Sequence, residues 1–208
     1  MPAAETAVKF FIQMLIIIDP VVAMPVLLAI TPRNTPAERG RTVFRGCSAA
    51  FLLSGFFLLV GPLFLTCFGI GTPAVLIAGG VLLFLIALEM LYGRVTGTGT
   101  TPREERLAEE RPDVSIFPLA FPVLAGPGAV ATCLIFAAQV PALAQRLLLL
   151  LATFVVFVLT GLVLSRAELL MKAIGALGVS IATRVMGLLL ALLAVQYLLD
   201  GFAANLPG

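Results

Sequence analysis

The sequence predicts an all-α membrane protein of six transmembrane helices, arranged as two inverted three-helix repeats with helices 1 and 4 broken near the bilayer midplane. Two observations lead to this prediction. Hydrophobic residues make up 61% of the 208 positions and charged residues 12%, whereas soluble domains average about 45–50% and about 25%. The two halves of the sequence also resemble each other. The apolar runs are long enough to cross hydrocarbon, which takes roughly 20 residues per helix, so a water-soluble fold is excluded.

Six apolar runs between polar breaks give the predicted spans. They are Lys9–Ile30, Gly46–Phe68, Pro73–Tyr92, Ser115–Gln139, Leu147–Ser165 and Val179–Leu199. We divide the chain accordingly into a first repeat (residues 1–92), a cytoplasmic linker (93–114) and a second, inverted repeat (115–208). The linker holds GTGT, two prolines and many charges, which is typical of a solvated connector.

The orientation of the spans is predicted from Lys and Arg, which concentrate in cytoplasmic loops. Eleven of the 13 lie in the loop after span 1, in the linker, or between spans 5 and 6, while Lys9 and Arg146 lie on the other side. We therefore expect a multi-pass protein of the cytoplasmic (inner) membrane, with both termini outside.

The internal repeat appears when the halves are displaced by about 107 positions. Asp19-Pro20-Val21 then aligns with Gly126-Pro127-Gly128, and Ser54-Gly55 with Thr160-Gly161. Two unrelated triples of leucine-rich helices could align by chance, so the evidence for a repeat comes from the matched Gly and Pro residues. Because each half has three spans, the second copy must be inverted, as in many secondary transporters.

The two proline-containing breaks in spans 1 and 4 are the candidate binding site. Proline removes a backbone donor and glycine eases departure from helical geometry. Unwound backbone at membrane depth is tolerated only inside protein or beside a wet cavity. The N–H groups that begin the following half-helix suit a carboxylate, and the freed carbonyls suit an ammonium group or a cation. A small zwitterion has both charges.

Eight residues form the predicted binding site. They are Asp19, Pro20, Val21 and Val22 at the first break, and Gly126, Pro127, Gly128 and Thr132 at the second. A carboxyl group is costly at mid-bilayer, so Asp19 should have a specific role there. In one interpretation its charge balances a substrate ammonium group, a coupling Na⁺ or a coupling H⁺. In the other, its side chain caps the second half-helix. These two interpretations are compatible.

Enzymatic chemistry is not expected. The sequence has no histidine, which removes the commonest zinc ligand and the usual general base, and it shows no GxSxG, HExxH or phosphate-loop spacing. We expect no metal site beyond a coupling cation near Asp19, no cofactor and no nucleic-acid partner; the lipid bilayer and a small solute are the expected partners.

Four segments identify a family resemblance: DPVVAMPVLLAIT, FGIGTPAVLIAGGVLLFLIAL, PLAFPVLAGPGA and VMGLLLALLAVQYLLDG. Together they resemble the MarC family of bacterial and archaeal membrane proteins over nearly the whole chain. The resemblance implies transport of small neutral amino acids such as glycine and alanine, coupled to sodium ions or protons, with substrate held between the two broken helices. Members commonly have glycine where this chain has Val22, which would narrow the site and favour glycine as substrate.

The sequence predicts an alternating-access secondary transporter of small neutral amino acids. Two alternatives stay open: a channel for a small neutral solute, and an accessory or structural membrane protein whose prolines serve helix packing alone. The oligomeric state is not fixed by the sequence.

Overall fold

The chain is almost entirely helical in the computed structural model, which describes residues 3–93, 114–140 and 142–204. The helices are α1 (Ala3–Ile18), α2 (Pro20–Ile30), α3 (Pro36–Cys67), α4 (Thr72–Tyr92), α5 (Ser115–Leu124), α6 (Pro127–Gln139), α7 (Leu143–Ser165) and α8 (Ala167–Ala203). Nearly all of the predicted linker, residues 94–113, lies outside the described residues.

The apolar helices have the lengths that a membrane requires. Within the described ranges, five stretches are long and apolar enough to cross a bilayer, and a sixth is added when the bent pair α5–α6 counts as one span. The stretch Ala3–Ile30, formed by α1 and α2, is one of the five. The predicted all-α membrane class is therefore confirmed.

Two helices, α3 and α8, begin ten or more residues before the predicted spans. α3 starts at Pro36, where the Thr35 hydroxyl accepts from the Glu38 N–H (3.3 Å) and the Glu38 carboxylate accepts from the Thr35 N–H (2.8 Å), a reciprocal cap. α8 starts at Ala167, but Gly175 interrupts it with φ 70° and ψ 169°, a conformation open to glycine. Both starts were missed because polar residues near them interrupt the apolar runs from which the spans were predicted.

The fifth helix is irregular. Phe117 and Phe121 have extended backbone angles inside Ser115–Leu124, as expected for residues that precede proline, and the Phe117–Pro118 and Phe121–Pro122 peptide bonds are cis. The Leu119 N–H bonds to the Val114 carbonyl (3.3 Å) and the Ala125 N–H to the Ala120 carbonyl (2.8 Å), which makes this a wide turn with bonds between residues five apart.

The two spans that contain the proline breaks lie among the other four helices, α3, α4, α7 and α8. α4 packs mainly against α8 and α3 against α7, while α1 and α2 contact α7 and α8, and α5 and α6 contact α3 and α4. The Phe10 and Phe136 rings meet edge to face, with centroids 5.0 Å apart, between α1 and α6. The interrupted segments are thereby enclosed by helices rather than left at the edge of the bundle.

Glycines allow α4 and α8 to approach closely. A Cβ atom at Gly187 of α8 would lie 2.8 Å from Met90 Cβ and 3.1 Å from the Ala87 carbonyl oxygen of α4. Both are closer than ordinary van der Waals contact, and the carbonyl belongs to a backbone that cannot rotate away. Small residues are the usual means of bringing membrane helices together.

We predict that Gly187→Ala destabilises the protein by about 1–3 kcal/mol, because overpacking forces the two helix backbones apart. The measurement is the melting temperature of purified protein in detergent. Gly40→Ala in α3 is the matched control, since nothing lies within 4 Å of a Cβ there. An unchanged melting temperature for Gly187→Ala would contradict the close α4–α8 approach.

Candidate functional site

The first interruption centres on Asp19, which lies between α1 and α2. Its backbone is left-handed, with φ 40° and ψ 76°, a conformation that Asp and Asn adopt more readily than other non-glycine residues. One carboxyl oxygen, Oδ1, accepts from the Val22 N–H at 3.3 Å and so caps α2. The other, Oδ2, is buried and has no hydrogen-bond partner in the described part of the chain.

The second interruption lies between α5 and α6, which meet at an angle of 58°. Gly126 caps α6 with an extended backbone, and a Cβ atom at this position would lie 2.3 Å from the Pro122 carbonyl oxygen. Only glycine fits such a contact with backbone. The bend therefore depends on the residue type at position 126.

Both interruptions leave helix-terminal backbone groups without their usual partners. Because Pro20 and Pro127 lack an N–H, the Ile16 and Val123 carbonyls lose the donor that normally comes from four residues on. The first helical bond of α6 runs from the Val130 N–H to the Gly126 carbonyl (3.1 Å).

The N–H groups of Gly128 and Ala129 precede that bond and have no acceptor within the helix. Both residues are buried. The start of α6 thus combines the N–H donors of buried residues with the positive end of a helix dipole.

The fold brings the two interruptions into contact. A Cβ atom at Gly128 would lie 3.1 Å from Ile17 Cγ2, two residues before Asp19, and 2.8 Å from Ile86 Cδ1 of α4. Asp19 is 5% exposed. The breaks are therefore enclosed and adjacent, with apolar side chains from α1 and α4 at the contact.

The remaining predicted residues lie around this contact. Pro20, Gly128 and Thr132 are buried, and four are half-buried: Val21, Val22, Gly126 and Pro127. The Val22 N–H belongs to the Asp19 cap. All eight predicted residues thus lie at one or other interruption or, for Thr132, one turn beyond the second.

A buried polar network joins three spans beside the interruptions. The Gln13 Nε2 amide of α1 donates to Thr132 Oγ1 of α6 at 3.4 Å, and Thr132 donates to the Gly128 carbonyl at 3.0 Å. The Tyr197 hydroxyl of α8 donates to the Gln13 amide oxygen. Gln13, Thr132 and Tyr197 are each at most 9% exposed, so their bonds hold α1, α6 and α8 in one register.

A cavity of about 630 Å³ lies directly over this network. Gln13 and Tyr197 line it, and its other polar lining residues are Thr6, Lys9, Gln139, Gln145, Gln196 and Asp200. Gln196 donates to Asp200 Oδ1 at 2.7 Å. The cavity presents amides and charges of both signs at the end of the bundle that carries the N-terminus.

The opposite end of the bundle is held by Arg39 of α3. Its guanidinium donates to the Thr31 hydroxyl (3.0 Å) and the Thr31 carbonyl (3.1 Å) at the end of α2, and it pairs with the Glu168 carboxylate at the start of α8. Its side chain is only 12% exposed. One side chain therefore ties together three helices at this end.

Sequence reasoning missed two members of the network. From the sequence, Gln13 is as compatible with helix packing as with a ligand role, and Tyr197 is not singled out. A polar amide in an apolar span was the available signal for Gln13. Tyr197 gave none, because its partner lies 184 positions away.

Comparison with known proteins identifies relatives over almost the whole chain. The family model described as "MarC family integral membrane protein" matches residues 4–206. A UPF0056 membrane protein of Aquifex aeolicus is 32% identical over 93% of this chain and 91% of its own. One from Methanocaldococcus jannaschii is 35% identical over 91% and 92%, and one from Escherichia coli 28% over 96% and 93%. No solved structure matches significantly.

We predict that Tyr197→Phe destabilises the protein by about 1–3 kcal/mol, because it leaves the buried Gln13 amide oxygen without a donor. The melting temperature in detergent measures this loss. Tyr92→Phe is the matched control, since Tyr92 is 70% exposed and should melt as wild type. Equal melting of the two variants would contradict the buried bond.

A second prediction compares the melting temperatures of two Asp19 variants: alanine removes the cap and disfavours the left-handed backbone, whereas asparagine removes only the charge. Asp19→Ala should cost about 0.5–2 kcal/mol for the lost cap and about 1–2 kcal/mol for a left-handed alanine. Asp19→Asn should melt close to wild type, because its side-chain oxygen can still accept from the Val22 N–H. If both variants melt alike, the cap does not stabilise the break.

Proposed function

Because this chain belongs to the MarC family of integral membrane proteins, and because its two interrupted spans meet in the bundle interior, we propose that it is a secondary transporter of small neutral amino acids. The observation that carries the proposal is the contact between Gly128 and Ile17. It brings the positive end of α6 beside the last turn of α1. Substrate would be bound between the two.

The chemistry of the site supports a small zwitterion. The free N–H groups of Gly128 and Ala129 suit a carboxylate. The Ile16 and Val123 carbonyls and Asp19 Oδ2 suit an ammonium group. Apolar neighbours such as Ile17 and Ile86 leave little room for a side chain, which favours glycine or alanine, and Val22 narrows the first break further.

The two ends of the bundle support alternating access. The cavity opens beside the N-terminal end and stops at Gln13 and Tyr197, while Arg39 ties α2, α3 and α8 at the other end. Transport would require the Gln13–Tyr197 bond to break in one state and the Arg39–Glu168 pair in the other. Each is a small number of polar contacts.

An inverted repeat is supported by the pattern of helix contacts. α4 contacts α6 as α8 contacts α2, and α3 contacts α5 as α7 contacts α1. Exchanging the halves turns each of these pairs into the other. Two inverted halves that rock around a shared site are a common basis of secondary transport.

Coupling to Na⁺ or H⁺ is proposed at Asp19. Its Oδ2 lacks a partner in the residues that the structure describes, and a cation or proton would supply one. A neutral zwitterion gains nothing from the membrane potential by itself, so the coupled cation would provide the driving force. We place the protein in the cytoplasmic membrane with both termini outside, following its Lys and Arg distribution.

The transport test is counterflow of labelled glycine into proteoliposomes preloaded with unlabelled glycine. We expect labelled glycine to accumulate transiently above equilibrium, because a carrier exchanges substrate faster than the gradients dissipate. Flux without accumulation would identify a channel. Absence of glycine and alanine flux, in protein shown to be folded and inserted, would favour the accessory role.

The charge of Asp19 is tested in the same assay. We expect Asp19→Asn to reduce counterflow at least about tenfold, since loss of one buried charged contact costs about 1.5–3 kcal/mol. Glu5→Gln is the control, because it removes a carboxylate from α1, the helix that precedes Asp19, at a side chain that is 45% exposed. Wild-type counterflow by Asp19→Asn, or by Gly128→Leu, would show that the interruptions are not the transport site.

A further inference from the structure

Two cavities adjoin at the Arg39 end of the bundle. The first, here called the apolar groove, has a volume of about 430 Å³ and runs between α3 and α7 over Phe44, Phe51, Phe154 and Val158. The second, the basic chamber, has about 330 Å³ and is lined by Arg39, Arg166, Lys172 and Glu168. Gly40 and Ser165 line both, so the two cavities are direct neighbours.

The basic chamber has an excess of positive charge. Glu168 is paired with Arg39. Arg166 and Lys172 have no ion-pair partner among the described residues. Two cations therefore remain uncompensated at the end of the bundle that is rich in Lys and Arg. Basic pockets of this kind between transmembrane helices suit anionic lipid head groups.

The apolar groove distinguishes a lipid from a soluble anion. Phe44 is 74% exposed and Phe154 52% exposed on the outer surface of α3 and α7, where hydrocarbon surrounds a membrane protein. The hydroxyl of Ser165 donates to the Gly161 carbonyl (2.7 Å), so its proton does not need an acceptor from a molecule bound in the groove. A free phosphate or nucleotide would fill the chamber and leave the groove unused.

We propose that the basic chamber and the apolar groove together bind one anionic phospholipid. Its phosphate would contact Arg166 and Lys172, and one acyl chain would lie in the groove along Phe51 and Phe154. The lipid would bridge α3, α7 and the start of α8. Each buried CH₂ of the chain adds about 0.8 kcal/mol, so the chain and the head group both contribute to affinity.

The test is a titration of the purified full-length protein with phosphatidylglycerol, followed by melting temperature and by native mass spectrometry of retained lipid. We expect phosphatidylglycerol to raise the melting temperature by several degrees, and phosphatidylcholine to have at most a small effect. The double variant Arg166→Gln/Lys172→Gln should weaken phosphatidylglycerol binding by roughly 30-fold, since each basic residue contributes about 1 kcal/mol. Both side chains are exposed, so the variant should fold.

Two further variants sharpen the assignment. Arg184→Gln removes an exposed cation from α8 outside the chamber and should bind as wild type. Gly161→Leu should fill the groove and weaken binding, while Gly161→Ala should not, because a Cβ there lies 3.7 Å from Cys47 Sγ in ordinary contact.

Three results would overturn the proposal. Equal binding of phosphatidylcholine would mean that the groove holds only surrounding bilayer lipid. An equal melting shift with inorganic phosphate would mean that the chamber binds a soluble anion. Undiminished phosphatidylglycerol binding by the double variant would mean that the chamber is not the site. None of these measurements depends on transport, so they fail or succeed independently of the proposed function.

Discussion

Satisfying backbone groups inside an apolar bundle is the constraint on which the rest of this fold depends. Pro20 and Pro127 each interrupt a span and each remove the donor for a carbonyl four residues earlier. Surrounding hydrocarbon offers no replacement partner. The interruptions must therefore be enclosed by protein, and the other four helices, α3, α4, α7 and α8, do this. The contact between Gly128 and Ile17 follows from that enclosure.

The two ends of the bundle satisfy this constraint differently. At one end, amide and hydroxyl groups of Gln13, Thr132 and Tyr197 bond to one another beneath a polar cavity. At the other end, the guanidinium of Arg39 donates to the Thr31 carbonyl at the end of α2 and pairs with the Glu168 carboxylate. Similar helix contacts in the two halves are thus combined with different polar chemistry at their ends.

Proline and glycine act on the backbone locally, which is why the sequence points to these positions. Asp19-Pro20 and Gly126-Pro127-Gly128 each determine the backbone at their own positions, whatever the helices pack against. The Gln13–Tyr197 bond could not be predicted, because leucine-rich helices leave the register between distant spans undetermined. The start of α3 was predictable in principle, since Thr35 and Glu38 form a capping box. It was missed because the spans were sought by hydropathy alone.

The buried network also contributes to the free energy required to open the cavity further. Gln13 lies on α1 and Thr132 on α6, so their bond joins the two interrupted spans directly, while Tyr197 joins both to α8. Separating α8 from α1 exposes the Gln13 amide to the cavity, where water can replace the lost donor at little net cost. Separating α1 from α6 would instead leave the Gln13 Nε2 amide without its acceptor between apolar helices, although the Thr132 hydroxyl would keep its bond to the Gly128 carbonyl. Judged by these polar groups alone, separating α8 from α1 costs less than separating the two interrupted spans from each other.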